Sequence, residues 1–140
     1  MVRQANKFDL ETICDLLQDY CVKHPNDSYK DSKTWNREFA KKQLIPILAG
    51  AGFILIDENN KGLLIAAKVS SFWIPNVFIL QELVWYGLSK RISMELLNKF
   101  LEIGDEMKDK GEVADVCFTC INEVKFERLG LKKAGHNWVI

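Results

Sequence analysis

Val77-Phe78-Ile79-Leu80-Gln81-Glu82-Leu83-Val84-Trp85-Tyr86-Gly87-Leu88-Ser89-Lys90-Arg91 decides how this chain folds. Val77–Tyr86 is apolar throughout except for the pair Gln81-Glu82, and its β-branched and aromatic residues suit a buried strand. Gly87-Leu88-Ser89-Lys90-Arg91 breaks the run, and from Ile92 apolar residues recur at helical spacing. The stretch reads as strand, basic turn, helix. Two features mark it as the candidate site. A carboxylate, Glu82, sits inside an otherwise apolar strand. A helix starts directly after a cationic turn, so its first N–H groups and positive dipole end are open to an anion.

Ile92–Lys110 is the clearest helix. Leu96, Leu97, Phe100, Gly104 and Met107 form one stripe, while Glu95, Lys99, Glu102, Asp105, Glu106 and Asp109 face outward. Glu95 and Lys99 stand in the favoured order for an ion pair along a helix. Gly104 within the stripe costs about 1 kcal/mol against Ala and allows close approach to a sheet. Gly111 ends the helix. Val113–Ile121 then reads as a strand, parallel to Val77–Tyr86 through a right-handed crossover.

Upstream, Phe53–Asp57, Leu63–Phe72 and Val77–Tyr86 form an antiparallel meander, turning at Glu58–Gly62 and at Ile74-Pro75-Asn76. Val2–Ala5 is a short first strand. Asp9 is the expected N-cap of a helix carrying Leu10, Ile13, Cys14, Leu17, Tyr20 and Cys21, which stops before Pro25. Ser32 or Thr34 caps a second helix carrying Trp35, Phe39, Leu44, Ile47 and Leu48, and Pro46 kinks its last turn. Asn122–Leu129 is a short helix closed by Gly130, and Lys133–Ile140 supplies a last strand. The order is β-α-α-β-β-β-α-β-α-β, an α/β (α+β) domain spanning 1–140 with a mixed, mostly antiparallel sheet.

Composition narrows the function. Apolar residues make up 48% of the 140 residues, and Lys+Arg balance Asp+Glu at 19 each. The charges are interleaved, which does not indicate a nucleic-acid surface. No apolar run reaches the ~20 residues of a membrane span. The N-terminus lacks the apolar stretch of a signal peptide, so a cytoplasmic location is expected. Of the four cysteines, Cys14 and Cys21 share a helix face, and Cys117 and Cys120 lie in a strand-like run. Neither pair sits on an evident turn of the kind zinc ligands favour, so they read as small buried hydrophobes and no metal is expected. A thiol- or metal-dependent role for Cys117 and Cys120 is the alternative. No Gly-x-Ser-x-Gly, Walker or His-Glu-x-x-His pattern is present. His24 and His136 are isolated, and Trp73, Trp85 and Trp138 read as core.

Glu82-Leu83-Val84-Trp85-Tyr86-Gly87-Leu88-Ser89 resembles the fourth strand of the GCN5-related N-acetyltransferases. The opening Val2-Arg3-Gln4-Ala5 and the closing Leu129-Gly130-Leu131 fit the same order. Compact proteins of similar pattern occur in bacteriophages, a further resemblance. The family's fourth and fifth strands splay apart, and acetyl-CoA enters the gap. The resemblance therefore implies acetyl transfer from acetyl-CoA, as cosubstrate, to a small-molecule or protein amine, without nucleic-acid or membrane partners. A homodimer is an open assembly state.

The resemblance makes Glu82 the general base, since an amine must lose a proton to attack a thioester. Strand alternation places Glu82 on one face with Leu80, Val84 and Tyr86; a solvent-facing or ion-paired Glu82 is the other reading. Tyr86, Gly87 and Leu88 lie where the family's backbone holds pantetheine. The family's diphosphate turn, Gln/Arg-x-x-Gly-x-Gly/Ala, corresponds to Leu88–Met94, which lacks both glycines. Lys90, Arg91, Ile92 and Ser93 would hold the diphosphate, with Ser93 in a glycine's place. Asn122 follows the fifth strand, where the family often has an Asn near the cofactor. Phe126 stands where a family Tyr commonly protonates the leaving thiolate, with Tyr86 and Cys120 as conceivable substitutes. The alternative is a non-catalytic binding or assembly protein of the same fold that has lost the glycines and the tyrosine.

Overall fold

Phe53–Ile56 and Leu63–Ala66 are buried at every position. Successive strand residues point to opposite faces, so a sheet built from them must be covered on both sides. The computed structural model describes residues 1–23, 35–119 and 126–134. They form β1 (Val2–Gln4), α1 (Leu10–Lys23), α2 (Arg37–Pro46), β2 (Gly52–Asp57), β3 (Gly62–Ser70), β4 (Phe78–Gly87), α3 (Lys90–Asp109) and β5 (Asp115–Cys117). Short 3-10 turns stand at Lys7–Asp9 and Phe126–Leu129. The five-stranded sheet runs β1-β2-β3-β4-β5. It is antiparallel through β4, and β5 joins β4 in parallel. The meander, the parallel fifth strand and the flanking helices are as expected. The closing strand and the first part of the Asn122–Leu129 helix fall largely outside the described residues. No helix among the described residues is long and apolar enough to cross a membrane.

Two cores result. On one face, Ile13, Leu17 and Leu44 of α1 and α2 pack on Ile54, Ile56, Leu63 and Ile65. On the other, Leu96, Leu97 and Phe100 of α3 pack on Leu55, Leu64 and Leu80. Each such side chain contributes about 1.5–3 kcal/mol by burial.

The helix starts differ from expectation. Asn6 is the N-cap of the 3-10 turn Lys7–Asp9 that leads into α1: its Oδ1 accepts the Phe8 N–H at 2.9 Å. Asp9 completes the reciprocal half of a capping box, accepting the Asn6 N–H at 2.8 Å. Arg3 grips Asp9 through two bonds of 2.8 and 2.9 Å and holds its carboxyl below the usual range. For α2 the cap is Asn36, whose Oδ1 accepts the Phe39 N–H at 2.9 Å; Ser32 and Thr34 lie outside the described residues. Phe39 is exposed on α2 rather than buried. After Pro46, which has no N–H to give the preceding turn, the chain widens into a π-type turn at Ile47–Ala51. Gly50, at φ +121°, ends it.

α3 begins two residues before the expected Ile92, capped by Ser89, whose Oγ accepts the Ile92 N–H at 3.2 Å. Glu95 and Lys99 do not pair with each other. Glu95 takes Arg91 at 2.6 Å and Lys99 takes Glu102 at 3.1 Å. Gly104 does bring the helix onto the sheet: a Cβ there would lie 2.8 Å from Val116 Cγ1 and 2.9 Å from Cγ2. Gly104→Leu should therefore overpack this contact and lower stability by about 1–3 kcal/mol in urea unfolding. An unchanged midpoint would show that α3 and β5 are not this close.

Candidate active site

β4 carries one residue more than β3. Ala66 pairs with Glu82 and Ile65 with Val84, which leaves Leu83 as an unpaired bulge. A bulge reverses the alternation beyond it. Leu80 belongs to the α3-side core, and Glu82 shares its face, opposite the α3-side Ala66. Val84 and Tyr86 pack on the α1 and α2 side, while Trp85 packs on the α3 side. The expectation that Glu82 shares a face with Val84 and Tyr86 is therefore wrong, and Leu83 is the cause.

The bulge coincides with the end of the parallel ladder. β4 and β5 pair at Ile79–Asp115, Leu80–Val116 and Gln81–Cys117, and no further among the described residues. Glu82 is the next residue. Its Oε2 accepts the Thr119 backbone N–H at 3.0 Å, so a side chain replaces the ladder where the strands part. Gln81 Nε2 donates to the Glu82 carbonyl at 2.8 Å. Thr119 is not marked by the sequence, because a backbone N–H leaves no residue-type signal, whereas Gln81 shows there only as the polar neighbour of Glu82.

Glu82 is 7% exposed. Burial raises its carboxyl pKa above the ordinary glutamate value, and the Thr119 N–H, by favouring the anion, offsets part of that rise. Among the described residues Oε1 accepts no hydrogen bond, while none of their fully buried side-chain oxygens lacks a partner. Oε1 must then keep contact with solvent. It is the oxygen open to an incoming proton.

Beyond Glu82, aromatic rings bridge the two directions of chain. Trp85 of β4 meets Phe118, just past β5, edge-on at 6.1 Å between centroids. Phe126 packs on Phe118 at 4.9 Å and on Trp85 at 6.1 Å. Trp85 Nε1 donates to the Ser93 carbonyl at 2.8 Å, fixing the indole against α3. Phe118 joins this group without having been singled out in the sequence.

The turn into α3 is short. Only Leu88 and Ser89 separate β4 from α3. Gly87 lies so close to the helix that a Cβ would meet Ser93 Oγ at 2.5 Å and Ser93 N at 2.8 Å. Ser89 caps the helix: its side chain accepts the Ile92 N–H, one of the free donors, and its carbonyl accepts the Ser93 N–H, the first bond of the helix itself. The Lys90 and Arg91 N–H groups remain at the positive end of the helix dipole. The Ile92 side chain is core, and the Arg91 side chain is held by Glu95. Lys90 is exposed.

Tyr86 faces away from Glu82. Its hydroxyl donates to Asp19 and accepts from Lys23 at 3.0 Å, both on α1. Burial and the Asp19 carboxylate together raise its pKa. Held by α1 on the opposite face of β4, Tyr86 is unsuited to replace the missing acid on the Glu82 side. Asn122 and Cys120 lie outside the described residues, as do His24, His136 and Trp138. Trp73, expected in the core, is 85% exposed.

A raised carboxyl pKa has a stability consequence with a definite sign. The folded protein holds the Glu82 proton at a pH where the unfolded chain has released it. The protonated side chain's contribution is present below the unfolded value and lost as pH rises through the folded one. Glu82→Gln cannot ionise. In thermal unfolding its advantage over the parent protein should grow from acid toward neutral pH. Parallel pH curves for the two proteins would mean the Glu82 carboxyl is not desolvated.

No protein-family model and no curated protein matches the chain. Solved structures do. A possible acetyltransferase from Clostridium difficile 630 is 18% identical at a TM-score of 0.69, over 100% of this chain and 95% of that one. A GCN5-related N-acetyltransferase from Ralstonia eutropha JMP134 is 15% identical at 0.69, over 100% and 97%. An aminoglycoside acetyltransferase from an uncultured soil metagenomic sample is 14% identical at 0.66, over 100% and 96%. These matches span the whole chain, and the chain has the fold of the GCN5-related N-acetyltransferases.

Proposed function

We propose that this protein is an acetyl-CoA-dependent N-acetyltransferase in which Glu82 is the general base. The observation that carries the proposal is the Glu82 carboxylate at the parting of β4 and β5, buried and raised in pKa, with one oxygen fixed by Thr119 and the other open. A base of raised pKa is better matched to an amine's proton than an ordinary surface carboxylate. Likeness in fold to acetyltransferases supports the reading.

Coenzyme A fits the described residues in part. The Lys90 and Arg91 N–H groups and the Lys90 ammonium suit a diphosphate at the start of α3. The missing glycines leave Gly87 packed on Ser93, so fewer backbone donors are offered than the family pattern provides. The Trp85, Phe118 and Phe126 rings lie across the gap that a pantetheine arm would follow. Phe126 sits on a single 3-10 turn with no buried residue, so it is the ring of the three whose displacement costs least. Bound acetyl-CoA would supply the thioester acyl group. Glu82 Oε1 accepts the proton of the attacking amine, directly or through water, while Thr119 keeps the carboxylate aimed. Phe126 has no proton to give, so the departing thiolate takes its proton from water and leaves as the thiol.

The bridging rings favour a second reading, a non-catalytic protein of the same fold that no longer admits coenzyme A. Thermal denaturation with and without coenzyme A separates the two: the first predicts a rise in Tm, the second none. In assays of thiol release against a panel of amines, Glu82→Gln should lower kcat by about 10²–10⁴-fold. The parent rate should fall as pH drops through the raised Glu82 pKa, because only the ionised base accepts a proton. Full activity in Glu82→Gln would remove Glu82 from this role.

A further inference from the structure

The β3–β4 hairpin ends in an apolar knob that neither core uses. β2 pairs with β3 only as far as Ala67, and β5 reaches β4 only at Ile79. The arm between them ends in Phe72-Trp73-Ile74-Pro75. Phe72 is 88% exposed and Trp73 85%, and Val69, Ile74 and Phe78 are exposed beside them. The tip is held in shape by its own hydrogen bonds. Ser71 Oγ accepts the Trp73 and Ile74 N–H groups at 3.3 and 3.2 Å, and the Ser71 N–H donates to the Val77 carbonyl at 2.7 Å. Asn76, at φ +61°, closes the turn. The Phe72 and Trp73 rings rest edge to face at 4.8 Å.

We infer that this arm is a self-association surface, and that its occupant is the same arm of a second copy of this chain. Three observations select that occupant. First, Val69–Gln81 contains no charged residue, in a chain where 27% of residues are charged. A two-fold contact sets each patch against its own copy, so a charged patch would repel itself, whereas a neutral one does not. Second, the formal net charge of the chain is zero, so no long-range repulsion opposes approach of two copies. Third, a large aromatic side chain buries about 150–250 Å². Phe72 and Trp73 together therefore supply about 300–500 Å² of the roughly 800 Å² per partner of a standard interface, and three partly exposed apolar neighbours add to it. The preformed tip reduces the ordering cost of association. A lipid surface is the poorer match, because stable attachment takes a second signal such as a basic cluster, and the arm offers only Lys68 at its base.

Sedimentation of the intact protein across a concentration series tests this, with Phe72→Ser/Trp73→Ser as the variant. The parent should form dimers. The variant should dissociate at least about thirty-fold more readily, as expected for loss of central aromatic anchors. Its Tm, measured where both proteins are monomeric, should stay within a degree or two, since both side chains are exposed in the monomer. A parent that stays monomeric at high protein concentration would overturn the inference. So would a variant that dimerises as tightly as the parent, or a monomeric parent that instead binds vesicles of anionic phospholipid through the arm.

Discussion

One hydrogen bond closes the place where the sheet comes apart. β4 and β5 run as a regular parallel pair for three residues, and the ladder ends just before the Leu83 bulge of β4. Polar backbone groups left at such a parting need partners, since an unmet buried donor costs about 1–3 kcal/mol. The Thr119 N–H finds its partner in the Glu82 carboxylate. The same contact that repairs the sheet therefore draws an ionisable group into a largely buried site. Structure and chemical potential have one cause here.

The bulge also divides labour between the two faces of β4. Glu82 and Trp85 look toward α3, while Val84 and Tyr86 look toward α1 and α2. Without the extra residue, Tyr86 would stand on the Glu82 face as an obvious acid. With it, Tyr86 is tied to Asp19 and Lys23 on the opposite side. At the end of the strand, Gly87 allows the backbone to press on Ser93, which keeps the turn into α3 to two residues. Within that tight closure the Ser89 side chain occupies the Ile92 N–H, which leaves the Lys90 and Arg91 N–H groups as the free donors at the helix start.

Much of this was legible in residue order. The period of α3 announced its buried stripe, and Gly104 within that stripe marked the approach to Val116. The apolar runs of β2 to β4 announced a sheet covered on both faces. Glu82 stood out because a carboxylate is costly in such a run. What was hidden depended on single residues or on distance along the chain. The Leu83 bulge inverts two assignments without any compositional mark. Asn6 and Asn36 were passed over as caps because nearby Asp9, Ser32 and Thr34 offered equally good chemistry. Tyr86 meets Asp19 across 67 residues, a separation no local pattern reveals. Trp73 reads as core in the sequence because aromatic identity alone cannot tell a buried ring from one displayed on a hairpin tip.

The most direct measurement is a pH titration followed by NMR at two nuclei, the Glu82 side-chain carboxyl carbon and the Thr119 amide. The account predicts one shared midpoint, above the ordinary glutamate value, because the Thr119 N–H donates to the group that titrates and burial raises that group's pKa. A Thr119 amide indifferent to the Glu82 titration, or a midpoint at or below the ordinary value, would contradict it.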